Sequence, residues 1–199
     1  MVRSVAEHKY FVFYKPYQVL SQFTSSDGRA SLSLFNFPKD CYPVGRLDYD
    51  SEGLLIITND KSLNQKLLSP KYRHRRTYFV QVDGVPMSED LEKLSKGVEI
   101  NIQGKTYRTL PAVAEVLVDE PNLPERVPPI RFRKNIPTTW LSITLMEGKN
   151  RQVRKMTAKI GYPTLRLVRY SIEKLNIEGF NSGEIRQFSK EKITKLLNL

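Results

Sequence analysis

The chain has 199 residues, 40% hydrophobic and 27% charged, enough for one well-buried domain or two small lobes sharing a core, and too apolar to stay disordered. A single cysteine, Cys41, and two widely separated histidines, His8 and His74, exclude an internal disulfide and give no metal-ligand spacing; no GxGxxG or Walker-type pattern is present, so neither metal nor cofactor is expected. The 32 Lys and Arg against 21 Asp and Glu leave a formal net charge of +11, which points to a polyanionic partner, most commonly a phosphate backbone.

No apolar run approaches a membrane span, and residues 1–8 lack a signal-type apolar stretch, so a cytoplasmic protein with a short N-terminal tail is expected. Residues Lys9 to Tyr14 alternate, with Tyr10, Val12 and Tyr14 on one face and Phe11 and Phe13 on the other, a strand pattern that Lys15-Pro16 ends. A polar turn or loop spans Gln22 to Leu32. Gly53 to Thr58 is a short continuous apolar run, read as a buried central strand. Asn59 or Asp60 then caps a helix carrying Leu63, Leu67 and Leu68. A basic run follows at Lys71, Arg73, His74, Arg75 and Arg76.

Tyr78 to Asp83 alternates again, with Tyr78, Val80 and Val82 sharing a face. Ser88 is the expected cap of a helix carrying Leu91 and Leu94, which Gly97 stops. Pro111 to Asp119 reads as a strand. Glu120 to Pro137 then holds five prolines with Arg126, Arg131, Arg133 and Lys134, either a basic loop for RNA or a floppy insertion. Thr138 to Met146 is a strand. Asn150 is the expected cap of the next helix, whose stripe is Val153, Met156 and Ile160 and whose stop is Gly161. Leu165 to Leu175 and Gly183 to Phe188 close the sheet, and Ser189 caps a last helix holding Ile193, Leu196 and Leu197. Strands and helices mix without a regular βαβ alternation, which favours an α+β fold with a largely antiparallel sheet.

Three stretches carry polar side chains where chemistry is possible. In Gly45-Arg46-Leu47-Asp48, an extended backbone sends Arg46 and Asp48 to the same side, and a guanidinium beside a carboxylate keeps it ionised and oriented. Taken alone, a structural ion pair or turn is the better explanation of this stretch, since loop carboxylates are common. Tyr78 shares a strand face with two valines, the ordinary signature of a core residue. Glu147 to Met156 gathers Lys149, Arg151, Arg154 and Lys155 around a helix start, where free N–H groups and the helix dipole favour an anion. A solvated basic face accounts for Lys155 and Lys159, less well for Gln152 and Arg154 beside the apolar Val153.

In order, the chain reads Lys15-Pro16, then Gly45-Arg46-Leu47-Asp48-Tyr49-Asp50-Ser51-Glu52-Gly53-Leu54-Leu55-Ile56-Ile57-Thr58-Asn59-Asp60. A basic-Tyr-x-Val-x-Val strand from Arg76 follows, then Glu147-Gly148-Lys149-Asn150-Arg151-Gln152-Val153-Arg154-Lys155-Met156, then Leu165-Arg166-Leu167-Val168-Arg169. This series resembles the RsuA/RluB/RluE/RluF family of ribosomal pseudouridine synthases, with its GRLD-x-x-[ST]-x-GLL and EG-x-x-RQVR-[RK]-M motifs. The match runs from about Lys9 to Arg186, and the insertion around Asp119 to Thr138 is similar to that of the E-type branch, which acts on the large subunit.

The resemblance implies a pseudouridine synthase fold: a mixed, mostly antiparallel sheet in residues 9–199, two sub-lobes with a cleft between them, and no S4-like module. It implies isomerisation of a flipped-out uridine in ribosomal RNA, 23S above all, by a monomer with no cofactor. Asp48 would be the catalytic carboxylate, attacking C1′ or assisting a glycal route. Tyr78 would stack on the base, Arg154 would pair with the aspartate, and Arg46 would fill the gap left by the base. Asp50 and Asp60 stand outside the motif position, and Asp60 fits a helix cap. RNA contacts are expected from Lys15, Arg75, Arg76, Lys149, Asn150, Arg151, Gln152 and Lys155, and from Arg131 and Arg133. The alternatives are the same chemistry at another site, such as one in the small subunit, or a non-catalytic ribosome-assembly factor on the same scaffold.

Overall fold

A computed structural model describes residues 7–130 and 137–199. Its elements run β1 (Tyr10–Lys15), β2 (Tyr42–Pro43), β3 (Glu52–Thr58), α1 (Lys61–Leu68), β4 (Arg76–Asp83), α2 (Ser88–Ser95), β5 (Glu99–Ile102), β6 (Lys105–Arg108), β7 (Val113–Val116), β8 (Thr138–Leu145), α3 (Gln152–Lys159), β9 (Thr164–Ile172), β10 (Leu175–Asn176), β11 (Ile185–Phe188) and α4 (Lys190–Leu196). One mixed sheet carries most strands, in the order β11-β1-β3-β9-β4-β8-β7, with β2 added to β3 and β10 to β9. Each of these pairings is antiparallel except β3 with β9. The α+β architecture expected from the sequence is the one observed.

Three cores lie along this sheet. Tyr10, Val12 and Tyr14 of β1 join Leu54 and Ile56 of β3, Leu63 and Leu67 of α1, and Ile193 and Leu197 of α4. The other faces of β1 and β3, through Phe13, Leu55 and Ile57, pack with Leu32 and Cys41. Strand β3 is therefore buried along its whole length, which explains its unbroken apolar run. The third core joins Val80 and Val82 of β4, Leu141 and Ile143 of β8, Leu94 of α2 and Val153 and Met156 of α3.

The two halves of the sheet meet where β3 pairs with β9, through Glu52↔Val168 and Gly53↔Arg169 only. A Cβ at Gly53 would overlap the Arg169 carbonyl, and the residue sits at φ +103°. Only glycine admits both the close approach and this backbone. The junction thus places the end of the Asp48 segment against β9, and so against β4, which pairs with β9 at Tyr78↔Arg169.

Capping follows the sequence at two helices. The Asp60 carboxylate accepts from Ser62 N and Leu63 N at the start of α1, and Ser189 accepts from Lys192 N at the start of α4. Of the stripe on α1, Leu63 and Leu67 are buried and Leu68 is exposed. Two expected caps are corrected. Met87, not Ser88, precedes α2, with its N–H held by the Asp90 carboxylate at 3.2 Å. Arg151, not Asn150, precedes α3, in a left-handed conformation with φ 52° and ψ 33°.

The sequence reading also passed over the β5–β6 hairpin, and the strand expected over 111–119 is only Val113–Val116. Residues 120–130 form neither helix nor strand, yet they are tied down. Trp140 Nε1 donates to Glu120 (3.3 Å), Arg166 donates to the Pro124 carbonyl (2.7 Å), and the Arg126 guanidinium lies 4.3 Å over the Tyr17 ring. That portion is a packed strap and not a floppy insertion. Arg131, Arg133 and Lys134 lie outside the described residues. No helix among the described residues is long and apolar enough to cross a membrane.

Candidate active site

A cleft of about 740 Å³ opens beside the β3–β9–β4 junction, a size suited to a small ligand or a single nucleotide. One wall is the Asp48 segment, with Arg46, Asp48 and Ser51. The opposite wall is the turn before α3, from Glu147 to Gln152. Tyr78 and Arg169 form part of the lining between them, and Pro70, Arg73, His74 and Arg76 reach it from the basic run. Among the described residues no group of three or more His, Cys, Asp or Glu side chains is placed to hold a metal ion.

Asp48 is 33% exposed at its side chain, and its Oδ2 lies 3.9 Å from Arg151 Nη1. It is thus half-open to the cleft and held only at a distance. Asp50 behaves differently. Arg151 grips both its oxygens, at 2.8 and 2.7 Å, and Arg154 Nε stands 3.4 Å from Oδ2. Arg154 also donates to the Asp50 carbonyl at 2.5 Å. Burial alone would push the Asp50 carboxyl up, but the Arg151 hydrogen bond and the charges of Arg154 and Arg151 outweigh it and hold the carboxyl below its ordinary value. Burial pushes the Arg154 guanidinium down, against the attraction of Asp50 and Asp48.

The expected pairing is therefore corrected. The guanidinium nearest Asp48 is that of Arg151, while Arg154 engages Asp50. The sequence reading set Asp50 aside for standing off the motif position. Its role as an anchor depends on partners 101 and 104 residues away, which spacing along one segment cannot reveal. The same tie explains the left-handed Arg151, since a side chain aimed back across the cleft over-determines a backbone that most residues avoid.

The turn before α3 is locked by Gln152. Its Oε1 accepts from Lys149 N at 2.9 Å and its Nε2 donates to Glu147 Oε1 at 2.6 Å. Glu147 also accepts from Tyr107 Oη and Leu110 N, so the β5–β6 hairpin buttresses the turn. Gln152, expected to contact RNA, lines the cleft at 3% exposure with its amide committed to holding this loop.

Lys15 is likewise corrected. It is fully buried, and its ammonium donates to the Pro16 and Val19 carbonyls at 2.8 and 2.7 Å. Burial pushes it down to about 7, against the pull of Glu52, Asp50 and Asp48. It braces the floor behind the carboxylates and has no surface for a phosphate. Arg76 lines the cleft, but its guanidinium donates to the His74 and Leu67 carbonyls. Arg46, Lys149, Asn150 and Arg151 are exposed and line the cleft; Arg75 is exposed outside the lining, and Lys155 is half-buried outside it.

Arg169 was quoted only as part of a motif, yet it lines the cleft at 5% exposure. Its Nε donates to the Leu54 carbonyl at 2.8 Å, and its Nη2 is buried without a hydrogen-bond partner among the described residues.

The model of the RNA pseudouridylate synthase family matches residues 9–159, which takes in Asp48, Tyr78 and Arg154. The chain belongs to that family. It is an RNA pseudouridine synthase, an isomerase. It is similar to the ribosomal large subunit pseudouridine synthase E of Vibrio parahaemolyticus, at 55% identity over 90% of this chain and 73% of the relative. It is 36% identical to the ribosomal large subunit pseudouridine synthase B of Bacillus subtilis, over 96% of this chain and 72% of that one. A crystal structure of a pseudouridylate synthase shares the fold with a TM-score of 0.75 and 27% identity, covering 96% of this chain and 74% of the other. The family and the E-type likeness expected from the motifs are both matched by these relatives.

Proposed function

We propose that this synthase isomerises one uridine of 23S ribosomal RNA, acting as a cytoplasmic monomer, with Asp48 as the reacting carboxylate. The observation that carries the reading is the position of Asp48: open to a nucleotide-sized cleft, shared with Tyr78, and rimmed by Arg46, Lys149 and Arg151. The large-subunit substrate is supported by the names of the relatives in Vibrio and Bacillus.

In the reaction the N1–C1′ bond breaks, the uracil turns, C5 joins C1′, and the proton on C5 is lost while N1 gains one. No electrons are exchanged with a cofactor. The target base has to leave its stack before C1′ can be reached. Arg46, exposed at the cleft margin, is placed to occupy the space the base leaves. Tyr78 offers its ring to the uracil. Asp48 either attacks C1′ or removes a ribose proton on the way to a glycal, and an ionised carboxylate serves both routes. Arg151 and Arg154, fixed by Asp50, hold positive charge behind it.

Mapping pseudouridines in the 23S and 16S RNA of a strain lacking the gene tests this reading. One 23S position reverts to uridine and is restored by the wild-type copy. Loss confined to 16S RNA, or no loss at all, contradicts it.

A further inference from the structure

Resting on that reading, we propose that the Tyr72–His74 pair is a stacking platform for an unpaired nucleobase of the RNA beside the flipped uridine. The pair sits in the basic run that enters the cleft. Pro70 starts a short 3-10 turn, Pro70–Tyr72, and Arg73 closes it in a left-handed conformation at φ 48° and ψ 41°. This reversal projects Tyr72 outward, leaving it 50% exposed. One ring face lies over His74, with centroids 6.0 Å apart and planes 25° from parallel.

The lower layer of this stack is rigid. His74 is 6% exposed, and its Nδ1 lies 3.2 Å from Glu173 Oε1. Glu173 in turn accepts from Arg75 N at 2.8 Å and from Asn198 Nδ2 at 3.0 Å. A base laid on Tyr72 would make a third layer on an aromatic surface that needs no reordering when it binds.

The surroundings favour RNA as the occupant. Lys71, Arg73 and Arg75 are exposed around the ring, and aromatic residues interleaved with cations are the pattern of single-stranded nucleic-acid binding. Pro70, Arg73 and His74 line the cleft that Asp48 also lines, so the platform stands at the margin of the reacting site. Flipping one nucleotide frees the π-face of its neighbour, and a stack on Tyr72 would offset part of that cost.

The test uses the full chain with a short oligoribonucleotide carrying 2-aminopurine, either single-stranded or annealed to its complement. Stacking predicts quenched fluorescence when the single strand binds the wild type. Tyr72→Ala weakens that binding by roughly 5- to 150-fold and restores the fluorescence, while Tyr72→Phe stays within about twofold, because the ring and not the hydroxyl does the stacking. Binding of the duplex is the same in all three proteins. Equal single-strand affinity in wild type and Tyr72→Ala, or an equal loss on single strand and duplex, overturns the proposal. Turnover of a 23S transcript by the same wild-type preparation separates the two claims. Absent turnover sinks the functional reading, whereas normal turnover with an indifferent Tyr72→Ala sinks only the platform.

Discussion

Asp48 and Glu52 lie on one short segment and each faces an arginine, but their surroundings make them different reagents. Glu52 is 3% exposed and meets Arg166 in a two-point contact at 2.9 and 2.9 Å. Arg166 spends a further donor on the Pro124 carbonyl. Asp48 is 33% exposed and approached by a single guanidinium nitrogen at 3.9 Å. A saturated, buried carboxylate can only hold structure, because removing it strands a charge where water cannot reach. A loosely held, half-open carboxylate keeps lone pairs free for a substrate. Asp50 lies between these extremes, 31% exposed yet fully engaged by Arg151 and Arg154.

The largest effect that could break this comparison is on stability. Glu52→Gln, or Arg166→Met, is expected to cost about 3–5 kcal/mol, a fall in Tm of roughly 6–20 °C for a chain of this size. A thermal melt within about 2 °C of wild type would mean that the buried pair holds little.

Asp50→Asn comes next. Hydrogen bonds to charged groups contribute about 1.5–3 kcal/mol, so activity on 23S transcripts is expected to fall roughly 10- to 100-fold as Arg151 and Arg154 lose their anchor. Tm should move less than in Glu52→Gln, because the Asp50 pair is partly exposed. Unchanged turnover would show that the guanidinium positions do not depend on Asp50.

Lys15 gives an effect that shows as a slope against pH. Its folded value of about 7 lies below the ordinary 10.5, so the unfolded chain binds more protons between those values. The contribution of Lys15 to stability therefore rises with pH across about 7 to 10.5. Subtracting the unfolding free energy of Lys15→Met from that of wild type should leave a difference that grows with pH over this window. A flat difference would place the ammonium in a better-solvated setting.

The strands were legible wherever one side-chain period dominated. Tyr10 to Tyr14 and Thr138 to Leu145 alternate, and Gly53 to Thr58 is apolar throughout because cores lie on both its faces. The β5–β6 hairpin escaped because its strands are four residues each and its turn is Gln103-Gly104, both at positive φ, where Asn-Gly would have given a clear signal. The caps at Asp60 and Ser189 are local contacts and could be read. The cap at Arg151 was not readable, because its conformation answers to Asp50 across the cleft.

The candidate site divides in the same way. Asp48, Tyr78, Arg46 and the turn at Lys149 to Arg151 were legible as motif positions, and they line one cleft. Burial was not legible. Lys15, Gln152 and Arg76 read as cations and polar groups available to RNA, and each proves committed to backbone or side-chain partners. Arg169 was hidden for the opposite reason: on a strand of apolar neighbours its charge gives no hint that it ends beside the cleft.

The central claim is that Asp48, and no neighbouring acid, reacts with the ribose. The direct test is single-turnover pseudouridine formation by Asp48→Asn on a 23S transcript, with RNA affinity measured on the same protein. The account predicts a fall of at least roughly 10³-fold, with the dissociation constant within about threefold of wild type, since phosphate contacts set affinity. Appreciable turnover by Asp48→Asn would contradict it.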